Sequence, residues 1–284
     1  MDNKSGTLYI VATPIGNLND ITNRAIEILN KVDICAAEDT RKSIKLFNAH
    51  NINTKLTSYH KFSENSKTTG LIEALISGKN VAIISDAGTP LISDPGRYLV
   101  NAAIEEGIEI VPIPGVTSVI TALSISGFNI DNFKYYGFLP RKKNEREMLI
   151  KEICTSGVTS VVFESGKRLG KLLDDISKEL QEDVQILVAR EMTKIHESFY
   201  RGSVLGVKEQ LEIFDYGTKG EFVLIVSAFE KTLEEGFSDE DKRIMELLWE
   251  SLPQKEALSL GSKILNKKRN FLYKKSIFRW PVHQ

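Results

Sequence analysis

The chain has 284 residues, enough for two domains or one large one with a substantial core. Lys and Arg number 37 against 38 Asp and Glu, a formal net charge of −1, so no global basic excess announces a nucleic-acid binder and any such surface has to be a local patch. The two cysteines, Cys35 and Cys154, lie far apart in apolar runs and the four histidines are scattered, which speaks against a disulfide scaffold or a metal site and for a reducing compartment.

Residues 8–12, Leu-Tyr-Ile-Val-Ala, read as a first strand, and Thr13-Pro-Ile-Gly-Asn17 as a rigid turn. The N-terminal apolar run is too short for a signal peptide or a membrane span. Asp20 is expected to cap a helix on which Ile21, Ala25, Ile26, Leu29 and Val32 recur at helical spacing. A short second strand, 33–37, runs straight into Glu38-Asp39-Thr40-Arg41, a quartet that reads either as part of a site or as a solvated helix start capped by Asp39 or Thr40. Residues 42–65 are polar and carry no clear periodicity; residues 66–78 read as a helix stopped by Gly78.

The apolar run 81–84 reads as a buried parallel strand, and the chemistry after it changes abruptly. Between Ser85 and Gly96 stand Asp86, Gly88, Thr89, Pro90, Ser93, Asp94 and Pro95, a connection longer and stiffer than the roughly 2–6 residues such a junction requires. In open α/β sheets ligands bind beyond the carboxyl ends of the strands, so this loop is expected to floor a site. A helix over 97–106 and a strand over 108–112 follow, then the turn Pro114-Gly-Val-Thr-Ser118, where a further helix begins. Strands alternating with helices indicate a parallel α/β sheet, with this half ending near residue 117.

The second half contains strand-like segments at 134–139, 158–163, 184–189 and 221–228, with helices over 144–155 and 169–180. A basic tip, Pro140-Arg-Lys-Lys143, follows the first of these strands. Two others end in mixed clusters, Glu164-Ser-Gly-Lys-Arg168 and Arg190-Glu-Met-Thr-Lys-Ile-His-Glu197, and that repetition favours a site. From Lys231 the chain reads as a helical tail with Ile244, Leu247, Leu248 and Leu252 periodic. Lys267, Lys268, Arg269, Lys274, Lys275 and Arg279 make it basic, either a solvated face or a nucleic-acid-binding appendage. No G-x-G-x-x-G follows the first strand, and neither G-x-x-x-x-G-K-[ST], H-E-x-x-H nor G-x-S-x-G occurs.

Six segments in order, Ile10-Val-Ala-Thr-Pro-Ile-Gly-Asn-Leu18, Ala37-Glu-Asp-Thr-Arg41, 85–96, Pro114-Gly-Val-Thr-Ser118, Gly137-Phe-Leu-Pro-Arg-Lys142 and 190–197, resemble the ribosomal RNA small subunit methyltransferase I family. That family belongs to the tetrapyrrole methylase-like, class III, S-adenosylmethionine-dependent methyltransferases. The resemblance implies two α/β domains, 1–117 with a parallel sheet and 118–230 with a mixed sheet, a cofactor cleft between them, and a helical basic tail over 231–284. It further implies a homodimer that methylates the 2′-oxygen of a cytidine ribose in the decoding region of small-subunit rRNA within the 30S subunit; the short N-terminal apolar run and the cysteine usage point to the cytoplasm, and no metal, membrane or DNA is expected. Carried over residue by residue, it assigns Pro14, Asp86, Gly88, Thr89, Thr117, Ser118, Phe163, Glu191 and Glu221 to S-adenosylmethionine. Two departures stand out: Gly166-Lys167 replaces the family's Pro-His, and Lys61 replaces the Glu of its Tyr-His-Glu segment.

A ribose hydroxyl is a poor nucleophile until its proton leaves, and His60, Glu38 and Asp39 are the candidate bases. Arg41, Arg141, Lys142, Lys143 and Arg168 are expected phosphate contacts, and Tyr59 or Phe62 the aromatic that stacks on a splayed-out base. Two competing functions fit less of the sequence. One is a methyltransferase of a small tetrapyrrole such as a precorrin, which needs neither the basic tip nor the tail. The other is a non-catalytic ribosome-assembly factor that binds RNA.

Overall fold

A computed structural model describes residues 5–179, 184–213, 220–228, 239–267 and 269–276. Residues 5–228 of the described chain fall in one compact unit and those from 239 onward in a second.

The first unit opens with β1 (Leu8–Val11), a single 3₁₀ turn (Leu18–Asp20), α1 (Asn23–Lys31), β2 (Ile34–Ala37), α2 (Thr40–Ala49), β3 (Lys55–Ser58), α3 (Glu64–Ile76), β4 (Val81–Ile84), α4 (Arg97–Glu105), β5 (Ile110–Ile113) and α5 (Ser118–Ser124). The strands form one parallel sheet in the order β3-β2-β4-β1-β5. The central strand β4 is buried at all four positions, as expected of a parallel strand covered on both faces. Successive side chains alternate: Ala82 and Ile84 pack with Ala25, Leu29 and Phe47, while Val81 and Ile83 pack with Leu71, Leu75 and Leu99. Both cysteines are buried free thiols, as expected.

Three details differ from the sequence expectation. Thr22, not Asp20, caps α1: its hydroxyl accepts the Ala25 N–H, and Asp20 is taken up in the preceding 3₁₀ turn. The polar segment 42–65 holds most of α2 and all of β3. The helix turns only Ser43, Leu46 and Phe47 inward, and the strand is a four-residue edge with no fully buried position, so neither carries a strong periodic signal. Tyr59 is only 1% exposed, with its hydroxyl bonded to Thr68, which rules it out as a stacking surface; Phe62 is 95% exposed.

A second sheet follows, from β6 (Phe133–Phe138), α6 (Lys143–Thr155), β7 (Thr159–Ser165), α7 (Gly166–Glu179), β8 (Gln185–Arg190), β9 (Ser198–Ser203), α8 (Val204–Ile213) and β10 (Glu221–Val226). Its order is β6-β7-β10-β8-β9, with β6 and β7 parallel and the remaining pairs antiparallel. The edge strand β9 and helix α8 were not expected from the sequence. One face of this sheet packs on α6, α7 and α8 through residues such as Ile150, Leu172 and Val207. The other face, with Val161, Leu187, Val223 and Ile225, packs on α5 and on Ile15 from the turn after β1. Ile15 and α5 thus join the two sheets within one unit.

The second unit contains α9 (Asp239–Ser251), α10 (Gln254–Ile264) and α11 (Arg269–Ser276), matching the expected helical tail. Pro253 separates the first two and precedes the first residue of α10. Lys267 forms an ion pair with Asp241 at 2.5 Å and Arg269 bonds Ser259, so these two basic residues also tie the tail to itself. Lys231, Lys268 and Arg279, the segment 278–284, and the side chains of Lys274 and Lys275 lie outside the described residues.

Candidate active site

A cavity of about 440 Å³ opens where the carboxyl ends of the first sheet's strands face the second sheet. The first sheet supplies Ile15 beyond β1, Glu38 beyond β2, the segment 86–89 and 92–94 beyond β4, and Thr117 and Ser118 beyond β5. From the second sheet come Phe138 at the end of β6, Phe163 to Ser165 on β7, and 189–194 around the end of β8, leaving out Arg190 and Thr193. Because β10 runs antiparallel to both β7 and β8, its first residues lie beside their last ones: Glu221 pairs with Ser165, and Phe222 with both Glu164 and Arg190. A strand's start and two strands' ends therefore share one rim.

The loop after β4 is pinned along its length. Thr13 and Gly88 exchange backbone hydrogen bonds of 2.9 and 3.0 Å, which joins the loop to the end of β1. Gly88 sits at φ +78°, a conformation that disfavours a side chain. The Thr89 hydroxyl donates to the Val116 carbonyl at 3.2 Å, Ser93 and Tyr135 share a hydroxyl bond of 2.6 Å, and the buried Glu64 carboxylate accepts the Gly96 N–H at 2.6 Å. Leu91 and Ser93 are held at φ +72° and +70°, strain that persists only because these anchors over-determine the loop.

Charge is concentrated on the same rim. Asp86 accepts the Asp39 N–H at 2.9 Å and pairs with Lys42 at 2.6 Å, and that bond raises the lysine's pKa. Asp39 caps α2 through the Arg41 N–H and chelates the Arg41 guanidinium, which holds its carboxyl down at about 2. Burial, then the charge of Asp86, raises Glu38. Burial, then Glu38, pushes Asp94 up to about 7. Across the cavity Lys194 bridges Glu191 at 3.0 Å and Glu221 at 2.8 Å. Burial by itself would raise Glu191, but the Glu221 N–H and Lys194 outweigh it and leave the carboxyl below its usual range. Gly220, at φ +118°, leaves room for this arrangement, since a Cβ there would lie 2.9 Å from the Glu191 side chain.

Of the residues assigned to the cofactor by resemblance, Asp86, Gly88, Thr89, Thr117, Ser118, Phe163, Glu191 and Glu221 line this cavity, while Pro14 lies beside it, between Thr13 and the lining Ile15. Of the candidate bases, Glu38 lines it; Asp39 is engaged in capping, and His60 is not part of the lining. Arg41, Arg141, Lys142 and Lys143 are exposed, and Arg168 is drawn inward, donating to the Leu139 carbonyl at 2.7 Å and pairing with Glu164 at 3.2 Å. Sequence reasoning missed Lys42, Asp94 and Lys194 as lining residues. Asp94 stood within the loop already singled out, whereas Lys42 sits in the first turn of a helix with no periodic signal. Among the described residues no group of three or more His, Cys, Asp or Glu could hold a metal ion.

Residues 7–206 match the model of the Tetrapyrrole (Corrin/Porphyrin) Methylases, and the two-sheet architecture is that fold. Cobalt precorrin-4 methyltransferase, a cobalamin biosynthetic enzyme, superposes with a TM-score of 0.60 at 17% identity, covering 78% of this chain and 94% of that one. Uroporphyrin-III-C-methyltransferase from Thermus thermophilus gives 0.53 at 20% identity, with 78% and 94% covered. The sequence itself is nearer to another group. Ribosomal RNA small subunit methyltransferase I of Escherichia coli O157:H7 is 43% identical over 273 residues, 96% of this chain and 95% of the relative. Its counterpart in Borrelia garinii subsp. bavariensis is 46% identical over 220 residues, 78% and 98% of the two chains. The chain belongs to the ribosomal RNA small subunit methyltransferase I family.

Proposed function

We propose that this protein transfers a methyl group from S-adenosylmethionine to the 2′-oxygen of a cytidine ribose in small-subunit rRNA. The observation that carries the reading is identity of 43% sustained over 96% of the chain with a ribosomal RNA small subunit methyltransferase I.

The cavity suits that donor. Its volume of about 440 Å³ lies within the roughly 300–1,000 Å³ typical of cofactor sites. Ile15, Met192 and Phe163 offer apolar surface to an adenine, Gly88 lets backbone approach closely, and Glu38 is a carboxyl with no ion-pair partner among the described residues, suited to a cationic ligand. When bound, S-adenosylmethionine supplies a methyl already activated by its sulfonium. The chain's own residues then have to orient the two reactants, exclude water and accept a proton. Alignment of this kind supplies roughly 7–11 kcal/mol, and a positioned base about 10²–10⁴-fold in rate.

Arg41, Arg141, Lys142 and Lys143 are exposed cations suited to phosphate contacts, and Phe62 is an exposed ring suited to stacking on a flipped base. Arg168 is excluded from this set by its internal bonds. Resemblance to the family supports the 30S subunit as the form of the substrate, a homodimer as the working unit and the cytoplasm as the location; no described helix is long and apolar enough to cross a membrane.

The test is transfer of labelled methyl to 30S subunits from cells lacking the protein, followed by digestion to nucleosides. Label recovered as 2′-O-methylcytidine is expected. Unlabelled RNA with label appearing on a precorrin would replace this reading with the small-tetrapyrrole one.

A further inference from the structure

Six carboxyl-bearing residues line the cavity, and the four besides Glu38 and Asp94 are Asp86, Glu164, Glu191 and Glu221. Each of these is committed to a cation. Asp86 pairs with Lys42, Glu164 with Arg168, and Glu191 and Glu221 with Lys194. Glu38 and Asp94 pair with none among the described residues, and both line the cavity on the side of the first sheet.

The two differ in how they are held. Asp94 sits between two fixed neighbours: Ser93, bonded to Tyr135 on β6, and Gly96, whose N–H is held by Glu64 on α3. Ser85, at the end of β4, is close enough to the Asp94 carboxyl to oppose the rise in its pKa. We propose that Asp94 is the group that takes the proton from the ribose hydroxyl, with Glu38 as its partner carboxyl. This rests on the methyl-transfer reading above. It replaces the bases expected from sequence, since Asp39 is engaged in capping α2 and His60 is not among the lining residues.

The step balances. The 2′-hydroxyl proton passes to the Asp94 carboxylate as the ribose oxygen bonds to the methyl carbon. The carbon–sulfur bond breaks with its electron pair left on sulfur, so the sulfonium charge and the carboxylate charge are cancelled together, and water later removes the proton from Asp94. The groups that act on Asp94 are Glu38 beyond β2, Asp86 beyond β4, Lys42 on α2 and the Tyr135 hydroxyl on β6. Burial and the two carboxylates raise its pKa to about 7, against the weaker opposite pull of Ser85 and Lys42, so the group can accept a proton and release it near neutral pH.

The experiment is the pH dependence of single-turnover methyl transfer to 30S subunits by wild type, Asp94→Asn and Glu38→Gln, with S-adenosylmethionine affinity measured in parallel. Asp94→Asn is expected to lose about 10²–10⁴-fold in the transfer rate while cofactor affinity is kept. Glu38→Gln removes a negative neighbour, so the acid limb of the profile is expected to move to lower pH. Asp94→Asn turning over at the wild-type rate, or losing cofactor binding together with turnover, would overturn the proposal, as would an acid limb unmoved in Glu38→Gln. Wild-type protein that leaves RNA unlabelled overturns the functional reading and this proposal with it; full activity of Asp94→Asn against a labelling wild type overturns this proposal alone.

Discussion

Asp94 shows how far a residue's chemistry depends on what the fold sets beside it. In sequence it is one of two aspartates in a Pro- and Gly-rich loop, and local composition does not distinguish it from Asp86, which only the family resemblance singled out. In the folded chain Asp86 receives a lysine and a backbone N–H, whereas Asp94 receives burial and the charge of Glu38. The consequence for stability has a definite sign. A carboxyl whose folded pKa is raised holds its proton in the native state over a range where the unfolded chain has released it. Stability therefore falls as pH rises from the unfolded value near 3.8 to the folded value of about 7, and the cost is fully present above that. Asp94→Asn removes the titration, so urea midpoints of the variant should rise relative to wild type between these limits; parallel pH curves would contradict it. Of the residues legible in the sequence, Glu38 and Glu191 stand directly after β2 and β8 while Asp86 and Thr117 lie in the loops beyond β4 and β5, and Asp86, Thr117 and Glu191 were assigned through the family resemblance. Lys42 and Lys194 were not legible, because their roles depend on carboxylates distant in sequence, Asp86 for one and Glu221 for the other.

At the scale of elements, the loop after β4 is a rigid insert held from three directions: the end of β1 through Thr13, the second sheet through Tyr135, and α3 through Glu64. The Glu64 bond is buried and is made by a carboxylate, so its loss is felt as an unsatisfied buried N–H as well as a lost contact. Glu64→Ala should cost about 1.5–3 kcal/mol of unfolding free energy and weaken cofactor binding, read by urea unfolding and calorimetry. Unchanged cofactor affinity in a destabilised variant would show that the anchor does not shape the cavity. Strands β1, β2, β4, β7, β8 and β10 were readable because burial on both faces gives near-continuous apolar runs. Of the four edge strands, β5 and β6 were read at 108–112 and 134–139, whereas β3 and β9, with mixed burial and no apolar run, were not. The helix α2 escaped for a related reason: it presents charged residues such as Arg41 and Lys45 to solvent and buries little.

For the whole molecule, a net charge of −1 has to be reconciled with binding an RNA polyanion. The reconciliation is local. Arg141, Lys142 and Lys143 stand together between β6 and the first turn of α6, exposed, and Arg41 projects from the start of α2. If these make phosphate contacts, the affinity for 30S subunits should fall steeply with salt, and neutralising Lys142 and Lys143 together should reduce the slope of log K against log[salt] by about 1 to 2, one contact per residue. A slope unchanged in the double variant would remove this tip from the RNA interface.

The central claim is that the acid-lined cavity between the two sheets is where a ribose of small-subunit rRNA acquires its methyl. The most direct measurement is mass-spectrometric mapping of that rRNA from cells in which the gene is deleted and then restored as wild type or as Asp86→Ala, the variant that loses the Lys42 and Asp39 contacts. The account predicts that one 2′-O-methylcytidine disappears on deletion, returns with the wild-type gene and stays absent with Asp86→Ala. Small-subunit rRNA with an identical set of ribose methyls in the deletion strain and its parent would contradict it.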